Sequence, residues 1–173
     1  MIINKTSAEE FQEVRSFYHS LIDSFQNLPY HPMWEKDVYP STDDIQIAID
    51  EGTLFIGRVN SRIVGAMVVN QKCNESYQKA TWLTELKQDA FMVIHMLGVH
   101  SDFAGHGFAG ELVAYAIKHA RKAGMKAIRI DVLEGNLPAN QLYEAFGFQY
   151  VDIVSMFYED TGWEKFRLYE LML

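Results

Sequence analysis

The chain has 173 residues, 49% of them hydrophobic, which makes a single domain over 1–173 the expectation. Fifteen Lys and Arg against 23 Asp and Glu give a net charge of −8, which argues against general nucleic-acid or anionic-membrane binding and mildly favours cationic partners. No apolar run approaches the roughly 20 residues that span a bilayer. Met1–Thr6 lacks the basic and apolar regions of a signal peptide, and the lone Cys73 fits a reducing compartment better than a nucleophile's role. A cytoplasmic location is expected.

Ile2–Thr6 reads as a short first strand. Ser7 and Glu10 form a capping box for a helix from Ala8, along which Phe11, Val14, Tyr18, Leu21, Ile22 and Phe25 keep helical spacing. The stretch Asn27–Pro40 holds three of the four prolines, with Tyr30, Trp34 and Tyr39, and is a loop. Its aromatics either line a cleft or pack the loop onto the core. Ser41 and Asp44 cap a second helix, Thr42 to about Glu51, which Gly52 ends. Thr53–Val59 and Ile63–Asn70 pair as a hairpin, and an irregular connection with Tyr77 and Trp82 leads to the next strand, Phe91–Val99.

A glycine-rich turn, Ser101–Ala109, follows, with a helix from about Gly110 to Ala123 and a strand Ala127–Leu133. A short helix lies within Asn136–Phe148, and strands 150–157 and 166–172 flank a turn at Glu159–Gly162. A glycine turn opening a helix aims free N–H groups and the positive end of the helix dipole at an anion. Lys118, Arg121, Lys122, Lys126 and Arg129 either add positive charge near that turn or form a solvated helix face. Gly105–Gly110 satisfies the dinucleotide pattern G-x-G-x-x-G. That reading fails, because residues 100–104 separate the turn from its strand and Asp131 sits inside the next strand. One βαβ crossover is also too few for a doubly wound sheet.

The turn and its flanks resemble the acetyl-CoA-binding core of the GNAT superfamily of N-acetyltransferases. Ala104–Ala109 follows the family turn R/Q-x-x-G-x-G/A except at Ala104. Asn136, Ala139, Leu142, Tyr143, Gly147 and Phe148 match every fixed position of N-x-x-A-x-x-L-Y-x-x-x-G-F. Trp34–Pro40 also resembles a loop of small bacterial members. The resemblance implies an α/β (α+β) fold: a mixed, mostly antiparallel sheet of six or seven strands, a central parallel splayed pair, and helices on both faces.

It further implies acetyl-CoA as co-substrate. Its pyrophosphate would rest on N–H groups of Gly105, His106, Gly107, Phe108, Ala109 and Gly110, where Ala104 replaces the usual Arg or Gln. Asn136 and Ala139 would flank it. Leu97, Gly98 and Val99 would hold the pantetheine arm and aim an N–H at the thioester oxygen. Tyr143 would protonate the leaving thiolate. Asp131 or His95 would take the amine proton, unless the amine arrives neutral. Tyr30, Trp34, Tyr39, Tyr77, Trp82, Phe157 and Tyr158 are candidates for gripping the acceptor, a small-molecule or peptide amine. The alternative is an acyl-CoA-binding sensor with little transfer, motivated by Ala104. His19, His31, His100 and His119 show no metal-ligand spacing, so no metal is expected, and a homodimer is left open.

Overall fold

A computed structural model describes every residue except 26, 27, 29 and 31. The loop reading at Asn27, Pro29 and His31 therefore lies outside the described residues. Strands β1 (Ile2–Lys5), β2 (Leu54–Val59), β3 (Arg62–Asn70), β4 (Phe91–Val99), β5 (Ala127–Leu133), β6 (Gln149–Tyr158) and β7 (Gly162–Met172) form one sheet. Helices α1 (Phe11–Phe25), α2 (Thr42–Asp50), α3 (Phe108–Lys122) and α4 (Leu137–Ala145) cover its two faces. The strand order is β1-β2-β3-β4-β5-β7-β6, and β4 with β5 is the parallel pair in an otherwise antiparallel sheet. This is the mixed, splayed architecture that the resemblance implied.

Strand periodicity decides which side chains meet which helices. On β5, Ile128, Ile130 and Val132 pack with Leu112, Val113, Ala116 and Ala120 of α3. Arg129 and Asp131 alternate to the other face. There α1 and α2 bury Val14, Tyr18, Leu21, Ile45 and Ile49 against Leu54, Ile56 and Val68.

Three element starts differ from the sequence reading by two residues or more. One 3₁₀ turn, Ala8–Glu10, precedes α1, with the Glu10 carboxylate accepting the Ser7 N–H at 2.9 Å. Helix α3 begins at Phe108, because Gly107 at φ +78° sets the boundary there. Strand β7 starts at Gly162, four residues before the expected Phe166. Trp163, Glu164 and Lys165 are exposed, so no buried alternation marks them, yet they pair with β6.

The centre of the sheet is interrupted. Phe91, Met92 and Val93 pair with Ala127, Ile128 and Arg129, and the β4–β5 pairing stops there. Opposite, Ala66 faces Gly98 and Val68 faces His95, so Met96 and Leu97 together oppose Met67 as a bulge. Met96 has φ +54°, uncommon for a residue with a Cβ. Tyr18, fully buried on α1, donates its hydroxyl hydrogen to the Met96 carbonyl at 3.0 Å. Two residues on, a Cβ at Gly98 would collide with Leu21 of the same helix. Helix α1 thus seats on the bulge at both points.

Tyr18→Phe removes the hydroxyl and leaves the Met96 carbonyl without that donor. Urea denaturation should show a loss of about 1–3 kcal/mol. An unchanged midpoint would mean that packing alone holds the bulge.

Candidate active site

The splay opens a depression on each side of the sheet's centre. The first is a groove of about 600 Å³ between the end of β4, the glycine turn and α4. Every residue that the resemblance assigns to the donor lines it, save His106 and Tyr143. Gly105 and Gly107 have φ +77° and +78°, and a Cβ on either would meet no atom within 4 Å. Conformation, not crowding, therefore calls for glycine there, and the cradle is open. The N–H groups of Phe108, Ala109 and Gly110 begin α3 without carbonyl partners one turn back, the usual condition of a first turn.

The side-chain electrostatics of this groove differ from one sequence reading. Arg121 and Lys122 sit at the far end of α3, about 20 Å from its first turn at 1.5 Å per residue, so they supply no charge to the cradle. Arg129 is 4% exposed on the opposite face. It donates to Glu170 at 2.8 Å and lies between the rings of Trp82 and Phe91. The cradle is a backbone device. His106 is exposed; its Nδ1 donates to the Ala104 carbonyl at 3.0 Å while its ring stacks on Phe108.

The second depression is a cavity of about 130 Å³ that shares Pro32, Leu97, Asn136 and Ala139 with the groove. His95, Asp131 and Tyr143 all reach it. Asp131 accepts hydrogen bonds from the Tyr77 hydroxyl at 2.6 Å and the Tyr158 hydroxyl at 3.1 Å. His95 Nε2 lies 3.0 Å from the Lys72 carbonyl, which can only accept; the proton is on Nε2 and the lone pair on Nδ1. Burial holds the His95 pKa below the ordinary imidazole value, against the pull of the Asp131 charge. Tyr143 is 4% exposed, edge-on to Phe148 at 5.4 Å between centroids. Burial first, then the Asp131 charge, raises its phenol above the ordinary value. The same causes act on Tyr39, Tyr77 and Tyr158.

Of the seven acceptor candidates, Trp34, Tyr39 and Tyr158 line this cavity. The other four do not line it. Tyr77 is only 2% exposed and stands behind Asp131 as a hydrogen-bond donor. Trp82 covers the Arg129 guanidinium. Phe157 points to the exposed face of β6 against Trp163, because strand alternation turns it away from buried Met156. Tyr30 lines the groove on the donor side. The sequence reading missed Asp160, which also lines the cavity, having treated Glu159–Gly162 as turn chemistry alone. Its signal was an acid two residues beyond a candidate aromatic.

One arrangement resembles a hydrolytic triad and is not one. His100 Nε2 lies 3.0 Å from Ser20 Oγ, while the Asp102 backbone N–H donates to His100 Nδ1 at 3.2 Å. The ring proton is therefore on Nε2 and points at the serine, the reverse of what a general base needs.

The model of the acetyltransferase (GNAT) family matches residues 14–148, and the chain belongs to that family. An uncharacterised N-acetyltransferase of Methanocaldococcus jannaschii is 29% identical over 105 residues, 61% of this chain and 42% of that protein. The uncharacterised N-acetyltransferase YycN of Bacillus subtilis is 34% identical over 68 residues, 39% of this chain and 42% of that protein. The matches thus span about two fifths of these relatives. A GNAT-family acetyltransferase structure from Streptococcus agalactiae shares the fold, with TM-score 0.82 and 18% identity over 99% of this chain and 95% of that one. Among the described residues no helix is long and apolar enough to cross a membrane.

The depressed His95 value has a sign for stability. The unfolded chain takes up this proton first as pH falls, so the contribution is complete above the ordinary value of 6.5 and is lost as pH falls through the lower folded value. Thermal unfolding should shift to lower temperature between about pH 7.5 and about pH 5.5, and His95→Gln should flatten that dependence. His119, shifted the same way by burial, keeps the slope from vanishing. An equal slope in the variant would assign the effect to other groups.

Proposed function

We propose that the chain moves the acetyl group of acetyl-CoA to a primary amine by direct attack, with donor and acceptor bound together. The observation that carries this is the pair of depressions meeting at Leu97, Asn136 and Ala139. One side is an open backbone cradle suited to a pyrophosphate. The other is an acid-and-aromatic cavity suited to an amine. A donor entering from one side and an acceptor from the other meet at the β4 bulge, and no enzyme-bound acyl group is required.

The residues present fit the donor. Gly105 and Gly107 hold the cradle open, and the first turn of α3 adds unpartnered N–H groups and the positive end of its dipole. Acetyl-CoA supplies an activated thioester. Beyond Val93 the β4 backbone has lost its β5 partner, so its edge is available to an extended ligand arm at Leu97, Gly98 and Val99. An N–H on that edge is fixed by the bulge before the ligand arrives, as stabilisation of developing oxygen charge requires.

The overall exchange forms one C–N bond and breaks one C–S bond. The amine gives up a proton to a base, and the departing sulfur takes one from an acid. His95 Nδ1, neutral with a free lone pair, and Asp131 are the candidate bases for this proton, directly or through water. Tyr143 is the acid. Its hydroxyl is protonated at neutral pH, and although burial makes it a weaker acid than a free phenol, it can give its proton as charge develops on the departing sulfur.

Release of free thiol from acetyl-CoA, measured against amines and amino-terminal peptides, tests the reading. Tight donor binding without turnover on any amine would favour the sensor alternative. Tyr143→Phe should lower kcat more than about tenfold with little change in donor affinity, and an unchanged kcat would remove its role.

A further inference from the structure

The β4–β5 ladder ends at Val93 and Arg129, so His95 and Asp131, each two residues further on, would face one another if it continued. They stand on strands that have parted, and the pairing between those strands no longer fixes one against the other. A single segment outside the sheet meets both. The Lys72 carbonyl accepts from His95 Nε2 at 3.0 Å, and five residues later the Tyr77 hydroxyl donates to Asp131 Oδ1 at 2.6 Å. This segment belongs to the connection between β3 and β4, and neither Lys72 nor Tyr77 lines the cavity.

The connection is itself tied down by groups that the acetyl transfer does not touch. The Trp82 indole N–H donates to the Tyr77 carbonyl at 2.8 Å, and its ring covers the Arg129 guanidinium, 3.9 Å from the centroid. Arg129 donates to the Thr84 carbonyl at 3.0 Å and to Glu170 at 2.8 Å, and Glu170 in turn accepts the Thr84 backbone N–H at 3.2 Å. On the other side, the Asn74 amide donates to the Phe157 carbonyl at 3.0 Å, beside Tyr158, the second donor to Asp131. Arg129 and Glu170 are both almost fully buried, and an ion pair so placed adds little net stability over apolar side chains of the same size. What it contributes is direction: charge-assisted hydrogen bonds fix angle as well as distance, and both members hold the backbone of Thr84.

Building on the transferase reading, we propose that the β3–β4 connection positions the proton-accepting side of the site, with Tyr77 the positioning residue for Asp131 and the Arg129–Glu170 pair the anchor that holds the connection to the sheet. Across the splay, the connection takes the place of a continued ladder and sets His95 and Asp131 at one separation. His95 therefore keeps its lone pair on Nδ1, and Asp131 its carboxylate in place, before an acceptor arrives.

Tyr77→Phe keeps the ring and removes only the hydroxyl. It should lower kcat by about tenfold or more, with KM for the amine and the affinity for acetyl-CoA little changed. Most of that loss should vanish in an Asp131→Asn background, since Tyr77 acts through Asp131. Equal losses in both backgrounds would overturn the role of Tyr77. Arg129→Met combined with Glu170→Leu replaces the buried pair by apolar side chains, so the thermal midpoint should hold while kcat falls by about tenfold. A double variant that keeps both midpoint and kcat would overturn the anchor. Should it unfold, Trp82→Phe, which loses the donor to the Tyr77 carbonyl and leaves the ion pair, must lower kcat in the same way; an unchanged kcat there is equally fatal. Nitrogen and carbon NMR of the His95 ring and the Asp131 carboxyl, read on the unliganded protein, needs no turnover. The unsubstituted chain should show one His95 tautomer, protonated at Nε2, and in the anchor variant the signals of both residues should move or broaden. Unmoved signals contradict the proposal. Signals that respond this way in a chain that acetylates no amine would defeat the transferase reading and leave the connection's hold on His95 and Asp131 standing.

Discussion

The structure depends on one interruption of hydrogen bonding. A parallel pair that continued beyond Val93 and Arg129 would close the sheet and leave no site. The bulge at Met96 and Leu97 turns β4 away from β5, and the chain accepts a left-handed backbone angle at a methionine to do so. Such a conformation persists only where its surroundings over-determine it. Here the surroundings are α1, through the Tyr18 hydroxyl on the Met96 carbonyl and Leu21 against Gly98. The first helix thus shapes the site from beneath, without lining the cavity itself.

The two sides of the opening are built by different physics. The donor side is backbone: glycines in left-handed conformations and the start of α3, with the basic side chains held at the other end of that helix or buried under Trp82. The acceptor side is side chain: a carboxylate on β5, another in the β6–β7 turn, aromatics from the loop before α2, and a phenol on α4. Loss of a charged contact at Ala104 therefore leaves the cradle's main donors intact.

That division explains what the sequence disclosed. Backbone devices require particular residues at fixed spacing, so the Gly105–Gly110 turn, the Asn136–Phe148 helix and the Ser41–Asp44 cap are visible in one dimension. The sheet was legible wherever burial alternated. It was not legible at Trp163–Lys165, whose side chains are exposed and whose pairing depends on β6. Long-range proximity was the real obstacle. Whether an aromatic faces the cavity depends on strand parity and on the path of loops, which is why Phe157 and Trp82 looked equivalent to Tyr158 and Trp34. Asp160 was hidden for a simpler reason: turns favour Asp on local grounds, so its presence in Glu159–Gly162 already had an explanation.

The tyrosines around Asp131 make this more than a question of geometry. Burial raises the pKa of all four, Tyr39, Tyr77, Tyr143 and Tyr158, and the carboxylate adds to each. The hydroxyls that donate to Asp131 fix its position, and burial, with the carboxylate adding to it, favours the protonated form of every phenol. Tyr77 and Tyr158 spend that proton in hydrogen bonds to Asp131. Tyr143, held on α4, lines the same cavity as Asp131. Asp131 thus bears on phenols from the loop before α2, the connection before β4, α4 and β6, with burial the larger cause of each shift.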